Sequence, residues 1–297
     1  MWRRLAGTLR LPFLILTPSS VALGWGAALW THGSVDPVLL SLVLIGALAA
    51  HISVNTFNEY FDFKSGLDAT TRRTPFSGGS GVLPAQPALA RPTLAIAWAS
   101  LALVLVLGGY FLAVRGLGLL PVGLIGVLVI LLYTPWINRW PLLWLFAPGL
   151  GFGPLMVLGT YYVLTGSYSS TAFALSAVPF FLVSGLLLLN QFPDVEADRR
   201  AGRRNFPIII GRQASSLLYG GLLVLAFASL VAAVQFQLLP RASLFGLLGA
   251  LVAAAAFLGA YRFATDIGRL TPYLALNALA AIITPLLIAG GLLTARY

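Results

Sequence analysis

The sequence predicts an all-α fold, a polytopic membrane bundle of nine transmembrane helices that forms a single domain over residues 1–297. Composition is the first reason: 59% of the residues are hydrophobic and 9% are charged, whereas roughly a quarter of the residues in soluble domains are charged. The second reason is that nine apolar segments approach the ~20 residues that a helix needs to cross a bilayer. Together these observations exclude the soluble classes of protein.

Most connections between the apolar segments are short and carry Pro, Gly or Arg, but two long ones occupy about 62–91 and 193–213. The first segment follows the basic stretch Met1–Arg10 without a small-residue cleavage site, so we expect a retained helix rather than a cleaved signal peptide. The predicted segments are 11–31, 37–61, 92–114, 116–134, 141–164, 171–192, 214–238, 242–262 and 271–294. If every segment crosses the membrane, both long connections lie on the same side.

The positions of the basic residues support this topology. With the N-terminus inside, all but three of the 18 Lys and Arg residues fall on the inner side, the exceptions being Arg115, Arg241 and Arg296. By the positive-inside rule, we predict an integral protein of a bacterial or archaeal cell membrane, with its N-terminus and both long connections in the cytoplasm. Topology and anionic lipid account for the net charge of +10, so no nucleic-acid partner is expected; the oligomeric state is not predicted.

The scarcity of Cys and His narrows the possible chemistry. The chain has no cysteine, which excludes disulfides, thiol catalysis and Cys-ligated metals. The two histidines, His32 and His51, are too few for a His-rich metal site, and we expect each to be structural. Carboxylates are therefore the candidate ligands for any cation.

The acidic residues are rare and unevenly placed. The chain has only eight Asp and Glu residues, and Asp36 and Asp266 stand apart from the rest. The other six form two clusters, each at the start of a long connection: Glu59, Asp62 and Asp68, and then Asp194, Glu196 and Asp198. An ionisable residue at the end of a membrane segment is a functional candidate by default, and two such clusters on one side strengthen that prediction.

Helical spacing groups the polar residues of each cluster on one face. In the first cluster the face holds Asn55, Asn58, Glu59 and Asp62, spaced i, i+3, i+4 and i+7. In the second cluster the face holds Asn190, Asp194 and Asp198, spaced i, i+4 and i+8, with Pro193 interrupting the helix near its end. Irregular backbone at membrane depth is tolerated where it lines a polar cavity.

Two facing carboxylate clusters suit a hard divalent cation. Mg²⁺ takes oxygen ligands and is often held by one or two carboxylates together with substrate phosphates. Backbone N–H groups of the loop at Ser77–Gly81 could also contact phosphate. Six arginines beside the clusters could complete a diphosphate clamp: Arg72, Arg73, Arg199, Arg200, Arg203 and Arg204.

These motifs resemble a known family. The run Asn58-Glu-Tyr-Phe-Asp62 with Asp68, and the run Asp194-Val-Glu-Ala-Asp198 followed by Arg-Arg-Ala-Gly-Arg-Arg, are similar to the two aspartate-rich motifs of the UbiA superfamily of intramembrane prenyltransferases. The resemblance covers essentially the whole chain. It implies a helical bundle around a central cavity that opens laterally to the lipid. It also implies Mg²⁺-dependent transfer of a prenyl group from a polyprenyl diphosphate to an acceptor, often a small aromatic molecule.

The resemblance also implies roles for individual residues. Asp62, Asp194 and Asp198 would be catalytic. The metal ligands would be Asn58, Glu59, Asp62 and Asp68 at the first motif and Asp194 and Asp198 at the second. The contacts to diphosphate would be Asn58, Lys64, Arg73 and Arg204.

The subgroup is indicated by two features. Gly66 stands where the superfamily's commonest first motif has its last Asp, and Asp68 follows two residues later. This longer spacing and the stretch Phe152–Tyr162 resemble the 1,4-dihydroxy-2-naphthoate polyprenyltransferases of menaquinone synthesis. That subgroup is expected to carry a glutamate just before this stretch, and Ala147–Phe152 has no acid. A 4-hydroxybenzoate, tetrapyrrole or glyceryl-lipid acceptor therefore stays open.

Further residues are candidates for contacts to the substrates. The implied reaction forms an allylic cation as diphosphate leaves, and aromatic faces stabilise cations. The candidates for that role are Tyr133, Trp136, Tyr161 and Tyr162. Asn277 and Asp266 are candidates for contact with the acceptor.

A cation-coupled transporter is the alternative function, but it would place its acidic residues near the middle of the membrane, and these acidic residues lie at helix ends. A phosphotransferase that acts on CDP-alcohols would carry an Asp-Gly-x-x-Ala-Arg pattern, which is absent.

Overall fold

The computed structural model describes residues 2–71 and 73–295, and all the regular secondary structure in those ranges is helical. The all-α prediction is therefore confirmed. A short helix, Trp2–Thr8, precedes the first long one and was not predicted. The long helices are α1 (Leu11–His32), α2 (Pro37–Lys64), α3 (Pro87–Arg115), α4 (Leu117–Leu132), α5 (Pro141–Thr165), α6 (Ser170–Asn190), α7 (Gly211–Gln235), α8 (Arg241–Arg262) and α9 (Ile267–Thr294).

The helices match the nine predicted segments in order, with one difference in length. In the part of the chain that the structure describes, eight are long and apolar enough to cross a membrane, and α4 is a shorter apolar helix. The predicted ninth span at 116–134 therefore corresponds to α4, which loses residues at its end to the turn that begins at Tyr133.

Local sequence signals set the ends of several helices. Asp36 caps the start of α2, where its side chain accepts hydrogen bonds from the backbone N–H groups of Val38 and Leu39. Pro37 then occupies the first helical position, where a missing N–H costs nothing. Gly116 follows α3 with a φ of 85°, a conformation that residues with a Cβ rarely adopt. The chain can therefore turn directly from α3 into α4.

The centre of the bundle is formed by α1, α5, α6 and α9, with α6 the most deeply buried. Helices α7 and α8 complete the packing around α6 and α9, while α2 and α3 pack against each other on the other side. Helices α3 and α4 contact each other mainly through Leu117–Leu119, the first turn of α4, which is a 3₁₀ helix. Their outward faces carry exposed Leu, Val and Ile side chains, which suits contact with lipid.

Helix α5 is irregular where it approaches α6. Its middle, Gly151–Leu158, is π-helical, and prolines lie before and within that stretch at Pro148 and Pro154. A Cβ at Gly149 or Gly153 would collide with the backbone of Phe180 in α6. The glycines thus allow a close approach of the two backbones, which fixes the position of one wall of the cavity described below.

The two long connections fold back over one end of the bundle. The first contains the short helices Leu67–Thr70 and Val82–Ala85, and the second contains Val195–Arg200 and Phe206–Ile209. Helix α6 ends at Asn190 and the chain passes through a turn that contains Pro193. The predicted break in this helix is therefore present, and it brings the second acidic cluster beside the first.

Candidate active site

A cavity runs between helices α2, α3, α4 and α5 and reaches the two acidic connections at one end of the bundle. The walls deep in the cavity are mostly Val, Leu, Phe and Gly. The polar side chains are concentrated at the mouth: Arg10, Asn55, Asn58, Asp62, Asp68, Asn190, Gln191, Asp194, Asp198 and Arg203. The cavity therefore has a charged mouth and a hydrocarbon-like interior.

Arg203 joins the two acidic clusters. Its Nη2 donates to Oδ1 of Asp62 in the first cluster, and its Nη1 donates to Oδ1 of Asp198 in the second at 3.1 Å. The guanidinium carbon lies 5.6 Å from the centre of the Trp144 ring, which is within the range of a cation–π contact. One cation thus balances two buried carboxylates from helices that are far apart in the sequence.

Amide side chains hold the other oxygens of these two carboxylates. Asn58 donates from Nδ2 to Oδ2 of Asp62 at 3.0 Å, and Asn205 donates from Nδ2 to Oδ2 of Asp198 at 3.0 Å. Because each carboxylate has a partner on both oxygens, their orientations toward the mouth of the cavity are fixed.

Asp194 and Asn190 each carry an oxygen without a partner. Asp194 accepts a hydrogen bond at Oδ2 from the backbone N–H of Gly78 at 3.1 Å, so the glycine-rich loop of the first connection touches the second cluster. Among the described residues, Oδ1 of Asp194 and Oδ1 of Asn190 have no hydrogen-bond partner although both are buried. Such atoms cost free energy unless a ligand or water meets them.

Asp68 is buried at the mouth of the cavity, and its Oδ2 has no hydrogen-bond partner among the described residues. Its carboxylate lies against Gly79, where an added Cβ would come within 2.9 Å of Oδ1. Gly79 has a φ of 69°, so a side chain there would be both strained and obstructed. The loop can therefore approach this carboxylate only with glycine at that position.

Glu59 is not part of the cavity lining and anchors the glycine-rich loop. Its Oε1 accepts hydrogen bonds from Nε of Arg10 and from the backbone N–H of Ser80, both at 2.8 Å. Its Oε2 accepts from the Ser80 hydroxyl at 2.6 Å. Arg10 has a φ of 53°, a left-handed conformation that is rare for a residue with a side chain. The Glu59 carboxylate thus ties the N-terminal turn and the loop to α2.

Burial raises the pKa of three carboxyl groups of the mouth that lie outside the membrane helices. Burial raises the pKa of Asp68 to about 7, and the neighbouring Asp62 and Glu59 carboxylates add to the shift. Burial and the neighbouring Asp198 raise the pKa of Asp194 to about 7. Burial raises the pKa of Asp198 to about 6, although Arg203 opposes the shift. Two arginines, Arg10 and Arg203, line the mouth with four aspartates, so a bound cation would stabilise the ionised form of carboxylates that burial disfavours.

The donor set fits Mg²⁺ in part. Among the residues that the structure describes, no group of three or more His, Asp or Glu side chains lies close enough together to hold a metal ion alone. The unpartnered oxygens of Asp68, Asn190 and Asp194 are hard ligands of the kind that Mg²⁺ prefers. Mg²⁺ commonly completes its shell with water and substrate phosphates, so this mouth suits a metal that arrives with an anionic ligand.

The structure brings together most of the predicted site residues but separates four of them. Asn58, Asp62, Asp68, Asp194 and Asp198 all line the cavity. Four predicted residues lie outside its lining: Glu59, Lys64, Arg73 and Arg204. Their positions do not support the predicted contacts to metal or diphosphate.

Each of the four has another environment. Glu59 holds the loop as described above. Lys64 is exposed and lies 5.9 Å from the centre of the Tyr60 ring. The Arg73 side chain packs over Gly81, and Arg204 is exposed beside Arg203. The neighbouring Arg72, a member of the wider clamp prediction, lies outside the described residues.

The sequence does not single out two arginines that line the mouth. Arg203 is one of six candidates for the diphosphate clamp, and the family resemblance favours its neighbour Arg204. Arg10 contributes to the sequence prediction only through the topology. Its signal was the spacing of the basic N-terminal stretch, which ends directly before α1 at the level of the cavity mouth.

The candidates for substrate contacts divide similarly. Tyr133 lines the cavity. Trp136 is exposed, Tyr161 bonds Thr31 through its hydroxyl at 3.1 Å, and the Tyr162 hydroxyl donates to the Arg115 carbonyl at 3.3 Å. None of these three lines the cavity, so the predicted cation-stabilising contact is supported for Tyr133 alone.

The predicted acceptor contacts in the last helix are not supported. Asn277 is buried and accepts a hydrogen bond from the Tyr219 hydroxyl at 3.0 Å. Asp266 caps the start of α9 and pairs with Arg269 at the surface. Both residues lie outside the lining of the cavity, so their contact with the acceptor stays a prediction without support from the geometry.

Comparison with known proteins identifies the family of this chain. The model of the UbiA prenyltransferase family matches residues 19–278. The chain is 29% identical over 216 residues to 1,4-dihydroxy-2-naphthoate octaprenyltransferase of Bacillus subtilis, covering 71% of this chain and 68% of the relative. It is 32% identical over 230 residues to UbiA prenyltransferase domain-containing protein 1 of Gallus gallus, of which it spans 62%.

The fold agrees with that match. A solved structure of a UbiA homolog from Archaeoglobus fulgidus, bound to GPP and Mg²⁺, superposes with a TM-score of 0.60 at 18% identity, covering 95% of this chain and 98% of that one. The chain is a membrane prenyltransferase and belongs to the UbiA prenyltransferase family.

Proposed function

We propose that this protein transfers a prenyl group, in a Mg²⁺-dependent reaction, from a polyprenyl diphosphate to a small aromatic acceptor of the dihydroxynaphthoate type. The observation that carries the proposal is the arrangement of Asp62, Arg203 and Asp198 at the charged mouth of an apolar cavity. A polyprenyl diphosphate has the same division, with an anionic head and a hydrocarbon tail. Each end of the substrate would therefore meet a matching end of the cavity.

The relatives support the acceptor class and the cofactor. The Bacillus subtilis relative is named for 1,4-dihydroxy-2-naphthoate as its acceptor, and the Mycobacterium tuberculosis relative, 30% identical over 213 residues, carries the same name. The Archaeoglobus fulgidus homolog binds GPP and Mg²⁺. The unpartnered carboxylate and amide oxygens at this mouth suit the same metal.

In this proposal the residues at the mouth hold the anionic head of the donor. Asp62, Asp68, Asn190, Asp194 and Asp198 would hold Mg²⁺, which would neutralise the diphosphate and make it a better leaving group. In the overall reaction the allylic C–O bond breaks with its electron pair going to diphosphate, and a ring carbon of the acceptor forms the new C–C bond. The attacked ring carbon then loses a proton, or carbon dioxide where it bears a carboxylate.

Arg203 would exchange partners during binding. Without substrate its guanidinium neutralises Asp62 and Asp198. A cation that binds these carboxylates would release it, and its planar donors match the oxygens of a diphosphate. Arg10 lines the same mouth and would supply a second positive charge near the leaving group.

We further propose that the mouth of the cavity faces the cytoplasm of a bacterial or archaeal cell. The distribution of basic residues supports this orientation, because nearly all of them lie on the side of the two acidic connections. Diphosphate would then be released into the cytoplasm, and the prenylated product would stay in the membrane.

The test is a prenyl-transfer assay with the purified chain in detergent. Labelled farnesyl or geranylgeranyl diphosphate is incubated with Mg²⁺ and, in separate reactions, with 1,4-dihydroxy-2-naphthoate, 4-hydroxybenzoate and glyceryl phosphate. We expect a Mg²⁺-dependent product with the naphthoate. Product with another acceptor alone would contradict the acceptor class, and the absence of product with every acceptor would contradict prenyl transfer.

The variants Asp62→Ala and Asp194→Ala link the activity to this site. Each is expected to abolish turnover, because each removes a carboxylate from the mouth. The matched control is Glu196→Ala, which removes an exposed carboxylate that pairs with Arg199 on the same side of the protein and should leave turnover unchanged. Near wild-type turnover in Asp62→Ala or Asp194→Ala would contradict the assignment of the site.

A further inference from the structure

We propose that His51 binds the acceptor, through a hydrogen bond that its ring Nε2–H donates to an oxygen of the acceptor. The inference rests on the proposed function, because it assigns a residue to the acceptor of that reaction. From the sequence we expect His51 to be structural. In the structure His51 lines the cavity, although it is only 5% exposed.

His51 extends the polar stripe of α2 into the apolar interior. His51, Asn55, Asn58 and Asp62 are spaced i, i+4, i+7 and i+11 and all line the cavity, so they share one face of the helix. At 1.5 Å per residue, His51 lies about 16 Å along the helix from Asp62. This distance leaves room for a metal-bound diphosphate, the reacting carbon and an aromatic ring between them.

The imidazole ring of His51 is held in a fixed orientation. Thr17 of α1 contacts its Nδ1 through the hydroxyl at 2.8 Å. The ring of Phe152 in α5 packs edge-on against it, with 4.9 Å between the ring centres. Thr17 is fully buried, and these contacts come from two helices, so the ring is pre-organised rather than free to rotate.

The contact with Thr17 sets which nitrogen carries the proton. Among the described residues, the Thr17 hydroxyl has no hydrogen-bond partner other than Nδ1 of His51. If Nδ1 were the donor, the proton of this buried hydroxyl would be left without an acceptor, which costs free energy. The hydroxyl therefore donates to Nδ1, and in a neutral imidazole the proton is then on Nε2.

The Nε2–H group then has no acceptor in the described part of the protein. It lies in a largely apolar wall with Leu16, Val43, Ala47 and Val54, where an unpaired donor is unfavourable. Of the two organic substrates, the prenyl donor offers only hydrocarbon beyond its diphosphate. The hydroxyl or carboxylate oxygen of an aromatic acceptor is the group that can satisfy this donor.

The first test measures steady-state kinetics with 1,4-dihydroxy-2-naphthoate and geranylgeranyl diphosphate. His51→Phe keeps a ring of similar size but removes the donor, and we expect the KM for the naphthoate to rise roughly tenfold, as for loss of a hydrogen bond by a buried group. The KM for the prenyl donor should stay within about twofold. The control is His32→Phe, at the exposed end of α1, which should change neither value.

The second test observes the ring directly and does not depend on turnover. In a His32→Gln background His51 is the sole histidine, so a ¹⁵N-histidine spectrum reports on it alone. We expect the Nε2–H tautomer, a shift of the Nε2 signal when the stable analogue 1-hydroxy-2-naphthoate is added, and no shift with geranylgeranyl diphosphate and Mg²⁺ alone. Adding Thr17→Val removes the hydroxyl that donates to Nδ1, so the Nδ1–H tautomer should also be observed.

The outcomes are distinguishable from failure of the proposed function. If wild-type protein makes no product from the naphthoate, the proposed acceptor is wrong, and the spectra are recorded with whichever acceptor gives product. If the acceptor is used but the Nε2 signal does not move on binding, the role of His51 is refuted. Equal increases in KM for both substrates in His51→Phe would also refute it, because they would indicate a general disturbance of the cavity.

Discussion

Among the individual side chains, Arg203 makes the contacts that join the two halves of the site. It is largely buried, and it pairs with one carboxylate from each acidic cluster. Removing one member of a buried ion pair leaves an uncompensated charge, which typically costs about 3–5 kcal/mol. The guanidinium is therefore needed to compensate two buried carboxylates, in addition to supplying charge to the site.

A comparison of neighbouring arginines tests this role. We expect Arg203→Gln to lower kcat/KM for prenyl transfer by at least about a hundredfold, because a group that stabilises the leaving anion is typically worth that much. Arg204→Gln removes the same charge from an exposed position one residue away and should change the rate by less than about twofold. A larger loss in the Arg204 variant would restore the sequence-based prediction.

The choice between these two arginines could not have been made from the sequence. The helix Val195–Arg200 ends before them, and Gly202 turns the chain with a φ of 73°. Helical periodicity therefore does not extend from Asp198 to Arg203. Periodicity does apply to Asp62, which lies within a helix. As the helical spacing predicts, Asp62 lines a common cavity with aspartates of the second cluster.

At the scale of elements, the glycine-rich loop depends on α2 for its position. The backbone N–H and hydroxyl of Ser80 both donate to Glu59, and the backbone N–H of Gly78 donates to Asp194. Thr74 and Ser77 close the loop on itself through their side chains at 2.9 Å. The loop is thus a bridge that touches both acidic clusters.

Weakening the anchor should loosen this loop. In Glu59→Gln the carboxamide has one acceptor oxygen instead of two and loses its charge-assisted bond to Arg10. We expect faster amide hydrogen exchange over residues 74–81 and a higher KM for the prenyl diphosphate. The control Glu196→Gln, which alters an exposed pair, should change neither. Unchanged exchange in Glu59→Gln would show that the other contacts hold the loop.

The helical stripe explains why the sequence groups Glu59 with the predicted metal ligands. Spacing of i, i+3, i+4 and i+7 defines a broad face, and only Asn55, Asn58 and Asp62 of that face line the cavity. Glu59 lies at the edge of the face, where it meets the loop instead. Which edge of a helical face meets a cavity depends on the neighbouring elements, and the sequence does not specify them.

At the scale of the whole molecule, both acidic connections lie at one end of the bundle. Arg212 near the start of α7 donates from Nε to the Phe192 carbonyl at 2.8 Å, beside the site. At the other end, Thr171 near the start of α6 donates to the Leu238 carbonyl at 3.1 Å. Helices α6 and α7 are therefore antiparallel, which is the arrangement that the predicted topology requires of neighbouring spans.

The absence of cysteine makes the orientation directly testable. Single cysteines are introduced at Lys64 and Arg204, at the site end, and at Arg241, at the other end, all exposed positions. A membrane-impermeant maleimide should label Arg241→Cys in intact spheroplasts, and Lys64→Cys and Arg204→Cys only in inverted vesicles. The reverse pattern would contradict a cytoplasmic site, and labelling of all three from one side would contradict the topology.

Nine apolar segments and their order could be predicted from the positions of apolar runs along the sequence, because lipid imposes a minimum length on each span. The π-helical stretch of α5 and the shape of the cavity could not. They depend on close approaches such as that of Gly153 to α6, and these are properties of packing between helices rather than of any one segment.

The shorter helix α4 has a consequence for the surrounding bilayer. Leu117–Leu132 is about 24 Å long at 1.5 Å per residue, against a hydrocarbon thickness of about 30 Å. The lipid beside it must thin, or the flanking residues must extend toward the headgroups. Gly123 and Gly126 of this helix line the cavity. The hydrophobic mismatch therefore occurs at a helix that forms a wall of the cavity. The acyl-chain length of the host lipid should therefore influence turnover.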